Sequence, residues 1–170
     1  MNILVVDGYN MIGAWSELQQ LKDKELAKAR DLLIDWMADY QAYSGSRVIV
    51  VFDAYEVRGL QTNLKTYDVE IIFTKERETA DECIERLVKS LKNVKNQVYV
   101  ATSDFAEQRT IFGQGALRKS ARELYIELKN IEREIAIEIE EYSAGKFQPK
   151  IPLDPKVRKA FEKMRRGMKY

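Results

Sequence analysis

Three short apolar runs each lead to an aspartate: "ILVVD" ends at Asp7, "VIVVFD" at Asp53 and "VYVATSD" at Asp104. Runs this short, rich in β-branched residues and lacking polar alternation, read as strands buried on both faces. The spacing predicts strands over 3–6, 47–52 and 97–101, with another over 69–73. Helical patterns separate them. Apolar residues at Leu26, Ala29, Leu33, Trp36, Met37 and Tyr40 predict a helix over 22–43, stopped by "YSGS". Thr79 followed by Glu82 is a capping box, and Cys83, Ile84, Leu87, Val88 and Leu91 continue it at helical spacing. Asp104 with Glu107 is read as the cap of a short helix ending near Gly113, and "GQGALRK" as a loop with a short fifth strand. Ser120 with Glu123 opens a long helix, favoured over a strand across 130–142 despite the alternating Ile135, Ile137 and Ile139. Asp154 and Pro155 cap a basic terminal helix over about 155–168.

Strands covered on both faces and separated by helices imply a parallel sheet in an α/β fold. The ligand crevice of such a sheet lies beyond the carboxyl ends of its strands. Asp7, Asp53 and Asp104 therefore share one rim. Asp81, in the first turn of the helix after the third strand, lies on the same rim.

Composition narrows the chemistry. The chain has no histidine, which removes Ser-His-Asp and Cys-His catalysis and every His-containing zinc site. Cys83 is the lone cysteine and falls in an apolar helical stripe, so it packs in the core, as do Trp15, Trp36 and most tyrosines. No apolar run approaches the roughly 18 residues of a membrane span, and the N-terminus lacks the pattern of a signal peptide. A cytoplasmic protein is expected. The 170 residues suit one domain with a proper core, read as 1–145 followed by a basic linker and helix over 146–170.

Clustered carboxylates repel one another unless some take up protons or a cation joins them. Hard oxygen ligands suit Mg²⁺ or Mn²⁺, which activate water and stabilise in-line displacement at a phosphodiester. Asp7, Asp53, Asp81 and Asp104 are the candidate metal-binding acids, with Asn10 as a neutral ligand or a hydrogen-bond partner to a bound water. Gly8 allows a close backbone approach at the strand exit. Thr102 and Ser103 are placed to hold Asp104 or a bound water, Ser103 being equally readable as a plain helix cap, and Tyr9, on the rim, to stack on a base. No small-molecule cofactor is expected, because the first strand exit has one glycine where a dinucleotide fingerprint needs three. A phosphatase of the haloacid dehalogenase type would carry a second aspartate where Tyr9 stands.

Charge points to a polyanionic partner. The tail from Lys146 onward has nine Lys and Arg against Asp154 and Glu162, so in a chain of net charge +1 the rest is acidic. The candidates for contact with such a partner's phosphates are Arg109, Arg118, Lys119 and Arg122 around the glycine loop, and Lys156, Arg158, Lys159, Lys163, Arg165 and Arg166 in the tail. Arg58, after the second strand, is a further candidate.

"VVDGYN", "TADECIE" and "VATSD" together resemble the NYN branch of the PIN-like nucleases, most closely the bacterial YacP-like members, over nearly the whole chain. On that resemblance Asp7, Asp81 and Asp104 match the family's metal-binding acids. Asn10 matches its amide at the first strand exit, and Asp53 a less constant acidic position. The resemblance implies a Rossmann-like α/β/α sandwich and a metal-dependent endoribonuclease that cuts mRNA in association with the ribosome. The alternative is a catalytically inactive RNA- or ribosome-binding module.

Overall fold

The computed structural model describes residues 1–54 and 69–145. Its elements run β1 (Asn2–Asp7), α1 (Gly8–Ala14), α2 (Ser16–Lys24), α3 (Leu26–Ser44), β2 (Arg47–Phe52), β3 (Glu70–Phe73), α4 (Ala80–Leu91), β4 (Gln97–Ala101), α5 (Phe105–Gly113), β5 (Leu117–Lys119) and α6 (Ala121–Ser143). The strands form one sheet in the order β3-β2-β1-β4-β5, and every neighbouring pair is parallel. This is the expected α/β architecture. The terminal helix, its prolines and the loop with Arg58 lie outside the described residues.

The strand order fixes where a site can form. From β1 the chain moves to one side for β2 and β3, then crosses back to add β4 and β5 on the other. The reversal lies between β1 and β4, the position where open sheets of this kind have their crevice. The chain leaves β1 at Asp7 and β4 at Thr102–Asp104, so both exits flank that point.

Side chains alternate along each strand, which sorts them between the two layers. Ile3, Val5, Ile49, Val51, Val98 and Val100 join Cys83, Ile84 and Val88 of α4 and Ile111 of α5 in one buried cluster. Asp7 and Asp53 continue the same alternation at the ends of β1 and β2, on the α4/α5 side. Leu4, Val6, Val48 and Val50, also buried, fall on the opposite face. On that side α3 and α6 are joined by the Tyr40 hydroxyl, which donates to Glu127 at 2.8 Å.

Two helices lie where none was predicted. Asp7 caps α1, its carboxylate accepting from the Asn10 amide nitrogen at 3.3 Å. Trp15 stands in extended backbone between α1 and α2, with its indole Nε1 donating to the Ala121 carbonyl at 2.9 Å. The helix predicted over 22–43 is α3, which starts only at Leu26; residues 22–24 are the end of α2, and Glu25 between them has extended backbone. The glycine of "YSGS", Gly45, ends α3 in the left-handed conformation at φ 68°. Both capping boxes are present: Thr79 with Glu82, and Ser120 with Glu123. Residues 130–142 are helical.

The chain divides into two compact units, Met1–Arg133 and Glu134–Tyr170. The described part of the second is the last turns of α6, closed by Gly145 at φ 70°.

Gly8 owes its place to a close approach. A Cβ there would fall inside the van der Waals envelope of the Phe52 ring, which is fully buried and also meets Tyr9 edge-on with centroids 5.2 Å apart. Gly8→Ala is expected to destabilise the fold by about 1–3 kcal/mol through overpacking, and chemical denaturation measures it. A stability equal to that of the parent would show that the ring yields freely.

Candidate metal centre

Three elements converge on the reversal point, and each delivers one acid. β1 ends at Asp7 on the α4/α5 face. Thr79 caps α4, which places Asp81 at its second position; Asp104 caps α5, which places Glu107 at its third. The first turns of two helices on one layer thus face the end of the central strand. One carboxylate oxygen from each of Asp7, Asp81 and Glu107 lies within 4.8 Å of the others. Asp7 is 7% exposed and Glu107 3%, while Asp81 stands at the mouth.

The electrostatics of this group are unfavourable without a cation. Both Glu107 oxygens are buried and have no hydrogen-bond partner among the described residues. Burial pushes the Glu107 carboxyl up to about 8; the Thr102 hydroxyl opposes this without reaching hydrogen-bonding geometry, and the charges of Asp7, Asp81 and Asp104 add to it. Burial likewise lifts Asp7 to about 6, against the hydrogen bond from the Asn10 amide and with the charges of Asp81, Asp104 and Asp53. Asp81 is raised by burial first and then by Asp104, Glu85, Asp53 and Glu82. Among the described residues no Lys or Arg forms an ion pair with any of the three. An oxygen-only donor set, close-packed and short of positive charge, fits a hard divalent cation.

Glu107 is the residue that sequence reasoning missed. Its spacing from Asp104 suggested a reciprocal cap, but only half of that cap exists. Asp104 Oδ1 accepts from the nitrogens of Ala106 at 2.8 Å and Glu107 at 3.2 Å, while the Glu107 side chain turns inward. Asp104 is consequently outside the close trio. It adds negative charge from the rim, as does Asp53.

Asn10 takes a supporting position. Its Oδ1 accepts from both the nitrogen and the hydroxyl of Ser103, at 2.7 and 2.8 Å, and so ties the β1 exit to the β4 exit. Thr102 Oγ1 in turn accepts from the Asp104 nitrogen at 3.1 Å. Tyr9, expected to offer a stacking face, packs its ring edge on Phe52 and accepts from Arg30 at 3.0 Å.

The cationic candidates separate into groups. Lys119 is drawn into the protein: its ammonium donates to both Glu127 oxygens at 2.9 and 2.7 Å and to the Tyr40 hydroxyl at 3.0 Å, and its side chain is 16% exposed. Those partners come from α3 and α6, which removes Lys119 from the surface set. Arg109 is exposed on α5. Arg118 and Arg122 line a cleft beside the acid trio. The six tail residues from Lys156 to Arg166 lie outside the described residues.

The YacP-like NYN domain model matches residues 4–166. YacP of Bacillus subtilis strain 168 is 56% identical over 167 residues, covering 98% of both chains. The crystal structure of Rae1 (YacP) from B. subtilis superposes with a TM-score of 0.79 at 56% identity, over 98% of this chain and 96% of that one. The crystal structure of a tryptophan-to-leucine mutant of that protein gives 0.76 at 54% identity, with the same coverage.

Proposed function

The chain belongs to the YacP-like NYN domain family, and from that premise we propose that it is a divalent-cation-dependent endoribonuclease. The carrying observation is Glu107: a buried carboxylate with both oxygens unpartnered among the described residues, set against Asp7 and Asp81. Ionised, such a group is costly in a fold; a proton relieves the charge, and a cation would complete the site.

In this reading Asp7, Asp81 and Glu107 hold Mg²⁺ or Mn²⁺. A bound cation supplies Lewis acidity toward the phosphodiester and lowers the pKa of an attacking water. The protein does the positioning. The Thr79–Glu82 box fixes the turn that carries Asp81, and Asp104 fixes the turn that carries Glu107. Asn10 and Ser103 hold the two strand exits together. Asp53 and Asp104 deepen the negative potential that draws the cation in. Water adds to phosphorus and the bond to the 3′ oxygen breaks, leaving a 3′-hydroxyl and a 5′-phosphate. Residues 1–145 would form the nuclease domain, with Arg109 and the basic 146–170 segment on the RNA backbone. The resemblance of "VVDGYN", "TADECIE" and "VATSD" to the NYN branch of the PIN-like nucleases is what points to mRNA at the ribosome, in the cytoplasm, as the setting.

The test is incubation of purified protein with single-stranded RNA, with and without ribosomes, in Mn²⁺ or in chelator. Cation-dependent internal cuts with 5′-phosphate ends are expected. Binding without any cut, ribosomes included, would establish an inactive RNA-binding module instead.

A further inference from the structure

A cleft of about 520 Å³ is lined by residues of the α1–α2 junction, the β4 exit, α5, β5 and α6. Trp15, Ser103, Gln108, Arg118, Arg122 and Tyr125 are among the residues that line it. Its size falls in the range of small-ligand sites. Arg118 and Arg122 form no ion pair among the described residues, although the chain has nearly as many acids as bases. The neighbouring lysine, Lys119, is fully engaged with Glu127 and Tyr40. Two arginines thus share one hollow with three serines, Ser16, Ser103 and Ser120.

The cleft and the acid trio share a wall. Glu107 and Gln108 are consecutive on α5: the first turns into the trio, and the second lines the cleft and donates to the Thr102 carbonyl at 3.1 Å. Ser103 lines the cleft while its hydroxyl donates to Asn10, whose backbone nitrogen donates to Asp7. The cleft is therefore tied to the trio through residues that neighbour one another along α5 or by hydrogen bond.

We propose that this cleft is the subsite for the nucleotide adjoining the cut in single-stranded RNA, with Arg118 and Arg122 gripping its phosphate. The proposal rests on the nuclease reading for the identity of the strand. The chemistry selects a phosphate. Guanidinium forks match phosphate oxygens in pairs, the Ser16 and Ser120 hydroxyls can donate to the same atoms, and the two positive charges offset the field of the acids that a polyanion must approach. The lining offers phosphate contacts in preference to a base-reading edge, so the cleft sets position along the strand and leaves sequence choice elsewhere.

The experiment uses the full chain carrying Asp81→Asn, which keeps RNA intact, with and without Arg118→Gln and Arg122→Gln. Anisotropy of a labelled single-stranded RNA oligonucleotide is followed across a salt series. Loss of both arginines is expected to weaken binding at least tenfold at low salt. The slope of log affinity against log salt should fall by about 1.4, roughly 0.7 for each lost contact to a single strand. Lys22→Gln, on the exposed face of α2, should leave both unchanged. In the Asp81-intact chain the arginine changes should raise KM with kcat little affected. If the double variant loses its thermal transition, Arg122→Gln alone carries the test, with half the slope change. Affinity and slope equal to the parent's would overturn the subsite, even in a protein that cuts RNA. Arginine-dependent binding by a protein that never cuts would keep the phosphate cleft and sink the nuclease reading.

Discussion

Glu107→Gln is expected to slow RNA cleavage severely while leaving the fold and RNA binding in place. The substitution preserves shape and removes one charge from the trio. If the cation contributes several kcal/mol of charge stabilisation in the transition state, and each 1.36 kcal/mol is tenfold in rate, weakening its seat should lower the rate by about 10²–10³-fold. Asp81→Asn, at the mouth of the same group, should act in the same direction. Raising Mn²⁺ should partly restore Glu107→Gln, because weakened affinity is compensated by concentration. A Glu107→Gln protein that cuts at the parental rate would remove Glu107 from the centre. Asp104→Asn separates the roles further. Its Oδ1 caps α5, and an asparagine side-chain oxygen caps nearly as well, so the fold should persist with a smaller loss of rate.

Stability should respond to pH and cation together. In the cation-free protein the Glu107 carboxyl is held up at about 8 against 4.5 for the free side chain. Between those values the unfolded chain has released a proton that the folded chain still holds. Folding stability therefore falls as pH rises through this window and levels off above it. Asp7, raised to about 6 from 3.8, adds a fall over its own lower range. At about 1.4 kcal/mol per unit, trimmed for hydration at the mouth, the loss between pH 5 and pH 8 is on the order of 2–4 kcal/mol. For a chain of this size that corresponds to roughly 5–10 °C in Tm. Adding Mn²⁺ should reverse the trend, raising Tm far more at pH 8 than at pH 5, since protonated carboxyls must first release their protons to bind. Scanning calorimetry in chelator and in Mn²⁺ checks both arms. Glu107→Gln should flatten the cation-free curve and remove most of the Mn²⁺ gain. A cation-free Tm that is level from pH 5 to 8 would mean that the carboxyl is hydrated and not trapped.

How far the site was legible in sequence depends on what each residue contacts. Strands ending in aspartate, and capping boxes such as Thr79 with Glu82, are local patterns, and the structure has them at the expected places. Asp81 was legible because its helix start was. Glu107 was not, because an acid three residues after Asp104 is also what a reciprocal cap looks like. The distinguishing sign was Ile111, four residues on and fully buried, which puts Glu107 on the inward face of α5. Lys119 looked like surface charge because its partners, Tyr40 and Glu127, come from distant helices. The first two helices were missed since Asp7 serves both as strand end and as helix cap, and no polar break separates the two elements.

The bridge from Asn10 to Ser103 has a consequence for how the protein meets its substrate. It joins segments 93 residues apart and locks the ends of β1 and β4 to each other before any ligand arrives. The entropy of assembling the centre is thus lost during folding and not on each encounter. A preorganised receptacle of this kind should show the same backbone order with and without substrate, so discrimination between RNAs must come from how a strand is delivered to it.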